Sequence, residues 1–317
     1  MKIHSRIRVL LLVGSLLFFG ANVFAQKTPW DSYIKAGNKA STERNYAEAE
    51  KQYAAAIKEA EKLKPQDARL VTSLDSLANL FEEQGKYAAA EPLYKRSLAL
   101  TEKMRGPKHP EVADSLNNLA IVSKAQGKYV EAASLNKRAL AIREKALGPE
   151  HPDVADSLNN LAIVYKAQGK YAEAAPLYKR ALAITEKVRG PESLDVATGL
   201  NNLANLYETQ RRYAAAEPLY KRTLAIREKA LGPEHPDVAT ALNNLAVLYG
   251  AQGNYVKAEP LYKRALAIRE KTLGPEHLKV AISLENYASL LRSMNRHDEA
   301  AQLEARAKAI RSSKKPR

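Results

Sequence analysis

Apolar residues return at helical spacing along this chain. Val238, Leu242, Leu245, Ala246 and Tyr249 are separated by steps of four, three, one and three, which keeps them on one face of a 3.6-residue helix. The pattern stops at Gln252-Gly253-Asn254 and restarts at Tyr255, Ala258, Leu261, Tyr262, Ala265 and Leu266. Glycine after a last helical turn ends a helix, and so short a connection holds its two helices antiparallel. Small side chains at Ala246, Ala258 and Ala265 let the two axes approach, while Tyr249 and Tyr262 fill the wider gaps. The spacing predicts a helical hairpin.

That hairpin is repeated. Read from Ser157, one 42-residue copy runs to Thr198, and further copies begin at Asp31, Ser73, Ser115, Gly199, Ala241 and Ser283, the last cut short. A fixed period of this size means stacked supersecondary units, each too small to bury its own apolar face. Successive copies are joined by Leu-Gly-Pro-Glu-His-Pro-Asp, as at 147–153 and 231–237. Gly148 and Pro149 stop one helix, and Pro152 with Asp153 suits the first turn of the next. Glu91–Lys95, Glu217–Lys221 and Glu259–Lys263 are spaced to pair along exposed faces. Pro92, Pro176, Pro218 and Pro260 fall about six residues into second helices, where a slight bend or an irregular first turn is expected.

The run Leu-Asn-Asn-Leu-Ala-x-x-Tyr-x-x-Gln-Gly-x-Tyr-x-x-Ala-x-Pro-Leu-Tyr-Lys-Arg-Ala-Leu resembles the tetratricopeptide repeat. Its 42-residue spacing and Gly-Pro-Glu-His-Pro-Asp linker resemble the kinesin light chain subgroup. The resemblance covers the chain from residue 31 almost to its end. It implies an all-α, right-handed superhelical solenoid of about seven antiparallel hairpins. It also implies a concave groove, lined by the first helices, that binds peptides or extended protein segments. Terminal copies 31–72 and 283–311 would cap the stack.

The resemblance places Asn117, Asn159, Asn201 and Asn243 on the concave side, with Asp75 in the corresponding earlier position. Around them lie Asp114, Asp156, Thr198 and Thr240, then Ile121, Ile163, Asn205 and Val247, then Glu82, Lys124, Lys166 and Glu208. Residues seven apart, such as Asn117 and Lys124, share a helix face. An amide can donate to one backbone group of an extended peptide and accept from another, without demanding a particular ligand side chain. Adjacent helical residues point about 100° apart, so Asn118, Asn160, Asn202 and Asn244 are assigned to contacts between helices.

Composition narrows the alternatives. The chain has no cysteine, which removes disulfides, thiolate nucleophiles and cysteine-based metal sites. Residues 1–25 read as a signal peptide: Lys2, Arg6 and Arg8 precede an apolar run from Val9 to Phe19, and Val23-Phe24-Ala25 predicts cleavage before Gln26. The run is shorter than the ~20 residues that span a bilayer, so the expected product is exported, periplasmic or secreted. Its partners are then other envelope proteins rather than nucleic acid. The net charge is +15, of which the leader carries three. Lys-Arg pairs at 95–96, 137–138, 179–180, 221–222 and 263–264, with a basic tail at 312–317, leave open a surface for anionic polysaccharide or lipid headgroups. Those pairs fall on second helices, where a solvated, salt-bridged face is the plainer reading. Arg306, Lys308 and Arg311 read as part of a frayed basic end.

His109, His151, His235 and His277 recur at the repeat period, and Ser193 breaks the series. Equivalent positions in successive repeats are at least one helix packing distance apart, ~8–10 Å, too far to share a zinc ion with ~2 Å bonds. They read as linker residues. No nucleophile elbow, phosphate-cradling glycine loop or paired-histidine motif is present. No enzymatic activity, metal or cofactor is expected.

Overall fold

The computed structural model describes residues 28–64 and 67–313. The leader expected at residues 1–25 lies outside them, as do residues 314–317 of the basic tail. The described residues form helices joined in consecutive antiparallel pairs, with no strand among them. The first helices of the seven hairpins are α1 (Pro29–Thr42), α3 (Ala68–Glu83), α5 (Pro110–Ala125), α7 (Pro152–Ala167), α9 (Leu194–Thr209), α11 (Pro236–Ala251) and α13 (Leu278–Ser293). Their partners are α2 (Tyr46–Glu61), α4 (Tyr87–Arg105), α6 (Tyr129–Leu147), α8 (Tyr171–Arg189), α10 (Tyr213–Leu231), α12 (Tyr255–Leu273) and α14 (His297–Ser313). Each helix packs on its sequence neighbours, so the hairpins stack as a solenoid.

The linker histidines are helix caps. His109, His151, His235 and His277 precede α5, α7, α11 and α13, and the Nδ1 of each accepts the backbone N–H two residues on, at 3.1–3.3 Å. The hydrogen bond satisfies one of the donors that a helix start leaves unpaired. Ser193 does the same for α9, accepting from the Val196 N–H. The break in the histidine series is therefore a change of capping chemistry, hydroxyl for imidazole, in one conserved role along the repeat.

Turns inside the hairpins also follow from local geometry. Gly253 holds φ at +73°, the left-handed conformation that closes a helix C-terminus. Arg211 (φ 57°) and Asn295 (φ 61°) stand in the same place without glycine's freedom. Second helices run through Pro92, Pro176, Pro218 and Pro260 as single unbroken helices, so of the slight bend or irregular first turn expected from sequence, the irregular start is not taken. They are longer than their partners, 19 residues against 16 in α7 and α8, which uses part of the 42-residue period.

The core is a series of similar interfaces rather than one centre. Val154, Ala155 and Leu158 of α7 pack on Ala181 and Ile184 of α8, and Val238, Ala239 and Leu242 of α11 repeat the arrangement with Ala265 and Ile268 of α12. Leu158 and Leu242 are fully buried; burying a side chain of this size is worth about 1.5–3 kcal/mol. Tyr178, Tyr220 and Tyr262 are buried as well, so the tyrosines before the Lys-Arg pairs belong to the core. At the C-terminal end, Ala307 and Ile310 of α14 are buried and Arg306 and Arg311 pair with Glu270 and Glu285. These basic residues belong to the last helix, because its apolar stripe continues past the point where the repeat's sequence signature fades.

Consecutive first helices approach one another directly, α1 with α3, α5 with α7 and α11 with α13, and no pair of second helices matches them. The first helices thus form the inner wall of the stack and the second helices the outer.

Candidate functional site

Along the inner wall, one ladder of amides runs from repeat to repeat. Asn160 Nδ2 donates to Asn117 Oδ1 (2.5 Å), Asn244 to Asn201 (2.8 Å) and Asn286 to Asn243 (3.1 Å). The second asparagine of one repeat therefore holds the first asparagine of the repeat before it. Asn117 and Asn201 stay partly accessible, with Nδ2 free to donate after Oδ1 has been engaged. Asn243 is only 8 % exposed and faces the next repeat more than solvent. Asn159 differs again: its Oδ1 is buried and has no hydrogen-bond partner.

Lys166 and Asn205, from successive repeats, are brought together: the ammonium donates to the amide oxygen. Burial holds the Lys166 ammonium below its ordinary pKa, against the opposing pull of Glu208. Burial likewise pushes the Glu208 carboxyl up, while a hydrogen bond from Tyr220 Oη (2.6 Å) and the Lys166 charge pull it down. Lys124 lines a small recess with Asn117, Ile121 and Asn160, next to the first amide rung. Six of the seven candidate residues thus occupy an accessible polar row, and Asn243 sits beneath it.

A departure from repetition lies between α7, α8 and α9. A cavity of about 270 Å³ opens there beside Asp156, Asn159, Thr185, Asp195 and Gly199. The wall arrangement can hold a polypeptide by amide hydrogen bonds and offers charged side chains of both signs at one end of the row. Among the described residues, no cluster of three or more histidine, aspartate or glutamate side chains is placed to hold a metal ion.

The outer wall uses its charges differently. Arg138, Arg180, Arg222 and Arg264 pair with Glu102, Glu144, Glu186 and Glu228 of the preceding second helix, at 2.5–2.7 Å. Each of these arginines also donates to the carbonyl of a linker proline, 107, 149, 191 or 233. Lys187, Lys229 and Lys271 reach Glu150, Glu192 and Glu234 of the preceding linker. The sequence showed the arginines of this lattice as the second members of Lys-Arg pairs. Their acceptors lie 36 or 31 residues back, a spacing that only the stacking of repeats turns into contact.

Stacked helical hairpins with a polar inner wall define a class, the superhelical repeat proteins. The chain belongs to the tetratricopeptide repeat family, whose model matches residues 37–103, 77–145, 111–187, 195–271 and 237–313. Among solved structures, it resembles BtubC (BKLC) from P. vanneervenii at 28 % identity and TM-score 0.59, over 78 % of this chain and 91 % of that one. A Podosopora anserina protein described as a kinesin light chain with nearly identical repeats is 30 % identical, TM-score 0.58, over 66 % and 99 %. The apo form of RapI matches at TM-score 0.68 over 90 % and 98 %, but at 14 % identity it shows the fold alone. No curated protein sequence matches the chain.

Proposed function

We propose that this protein is a non-catalytic interaction scaffold that holds an extended segment of a partner protein along its inner wall. The observation that carries this reading is the amide row. Asn117, Asn159 and Asn201 recur at the repeat period on an accessible face, and each retains hydrogen-bonding capacity after its contacts within the fold. An extended peptide presents unpaired N–H and C=O groups at regular intervals, and side-chain amides can serve both. Tetratricopeptide repeats are a family of protein-binding scaffolds, which agrees with this use.

The leader pattern at residues 1–25 supports export, so the partner is a protein of the cell envelope. A basic surface for polysaccharide or lipid is the less favoured role, because the outer-wall arginines are already engaged by carboxylates and carbonyls. The test is selection of binding peptides from a random library, followed by affinity measurement at low and moderate salt. Replacing Asn159 and Asn201 together by alanine should weaken a selected peptide about tenfold, the loss of roughly 1.4 kcal/mol. Equal affinity for both proteins, with binding abolished by salt, would overturn the reading.

A further inference from the structure

The second helices carry an arginine column near their C-terminal ends: Arg143 in α6, Arg227 in α10 and Arg269 in α12. Two of these side chains, Arg143 and Arg269, bridge successive first helices. Arg143 Nη1 donates to Ser157 Oγ (2.8 Å) and to the Asp153 carbonyl (3.2 Å), while Nη2 meets the Asp114 carboxylate. Arg269 copies the arrangement, bonding Ser283 Oγ, the Lys279 carbonyl (3.3 Å) and Thr240 Oγ1 (3.4 Å). Arg227, whose repeat has Ala241 in the serine position, keeps the carbonyl of Asp237 (3.1 Å). The repeat therefore builds a guanidinium slot and fills it from within.

In α8 the arginine is replaced by Thr185, and in α9 the serine is replaced by Gly199. Both positions line the cavity of about 270 Å³ between α7, α8 and α9, and a Cβ at Gly199 would press on Leu182 (3.2 Å). Its acceptors remain: Asp156 stands where Asp114 does, and Asp195 where Asp153 does. Asn159, also in the lining, keeps a buried Oδ1 without a partner. The Thr185 hydroxyl is turned back onto the Ala181 carbonyl (2.9 Å) and leaves the space free. Arg189, exposed and also in the lining, pairs with Asp195 (3.6 Å), and its ion pairs do not include Asp156. A contrast comes from α4, where Thr101 also replaces the arginine. There Ser115 is retained, the two hydroxyls meet at 3.5 Å, and Thr72 stands in place of the aspartate.

We propose that this slot takes the guanidinium of an arginine side chain from the bound segment, in the place that Arg143 and Arg269 fill from within the chain. The proposal rests on the inner wall being the binding surface. A guanidinium presents five N–H donors in a planar fork, which suits a carboxylate, an amide oxygen and a carbonyl arranged around one space. An ammonium group lacks that fork and would reach fewer of them at once.

The test titrates N-acetyl-arginine methylamide into the protein and follows the Asn159 side-chain amide and the Gly199 backbone N–H by NMR. Saturable shifts at both are expected. The neutral isostere N-acetyl-citrulline methylamide should bind at least about tenfold more weakly, and D156N should cost a similar factor. T185R, which refills the slot from within, should abolish the shifts, whereas T185V should keep them; circular dichroism establishes that each variant is folded. Equal binding of the two probes, undiminished binding to T185R, or no saturable shift would overturn the proposal. A library-selected peptide that depends on Asn159 and Asn201 while the arginine probe fails would sink the slot alone. Binding of the probe without any such peptide would sink the groove reading instead.

Discussion

The outer and inner walls of this solenoid are built from one repeat, yet they use polar groups in opposite ways. On the outer wall, Arg180 is engaged by Glu144 and by the Pro149 carbonyl, and Arg222 by Glu186 and the Pro191 carbonyl. Its periodic charges are mutually satisfied and tie each repeat to the last. On the inner wall, the amide ladder is made at Asn117, Asn201 and Asn243 and left open at Asn159. Identical spacing therefore yields a closed lattice on one side and unused hydrogen-bonding capacity on the other. The proposed binding surface lies where periodic satisfaction stops.

The sharpest way to break the contrast is to damage what both walls share. Leu242→Ala in α11 should lower stability by about 2–5 kcal/mol, because the side chain is fully buried. Urea denaturation followed by circular dichroism reads the effect, and a loss shared by every probe would show that the stacked core supports both walls together. Within the inner wall, Asn201→Ala leaves Asn244 without its acceptor and should cost about 1 kcal/mol. Asn159→Ala removes no such bond and should leave the denaturation midpoint nearly unchanged. Equal losses at the two positions would mean that both amides are structural. On the outer wall, Arg222→Ala should cost between about 0 and 1 kcal/mol, and less as salt rises, since its ion pair with Glu186 is substantially exposed.

Two glutamates, one on each wall, are shifted in opposite directions. Glu259 of α12 accepts from Lys263, Arg296 and Tyr287, and these partners, with Lys263 foremost, hold its pKa at about 2 against an ordinary 4.5. Its contribution to stability is present above the unfolded value and is lost as pH falls from 4.5 towards 2. Glu208 on the inner wall is shifted the other way by burial. The folded chain then holds that proton more tightly than the unfolded chain. Stability associated with Glu208 is greatest at low pH and declines as pH rises above 4.5. In pH-dependent denaturation, Glu259→Gln should flatten the acid limb, and Glu208→Gln should remove a decline on the other side.

Much of the fold was legible because helices announce themselves locally. The steps from Val238 to Tyr249, the turn at Gly253 and the linker at 231–237 each act within a few residues, and each is where the sequence places it. Contacts across 31 to 43 residues were less legible. Asn160 and Asn117 are separated by a whole period, so assigning Asn160 to contacts between helices named the right surface without naming its partner. The histidine caps were hidden for another reason: imidazole is an uncommon N-cap, and only Ser193 in the same place hinted at the role. The slot at Thr185 and Gly199 could have been found by looking for paired departures from the repeat. A lost donor and a lost side chain, 14 residues apart in sequence, mattered because the stack places both in the lining of one cavity.

The measurement that bears most directly on the inner wall as a binding surface is the affinity of a library-selected peptide for the parent protein and for the Asn159/Asn201 double alanine variant. Both would be measured at low and moderate salt, with denaturation midpoints in parallel. An affinity that survives moderate salt and falls about tenfold in the variant, beyond what its stability change explains, is the predicted result. An affinity that is the same in both proteins and vanishes with salt would contradict it and move the working surface to the basic outer wall.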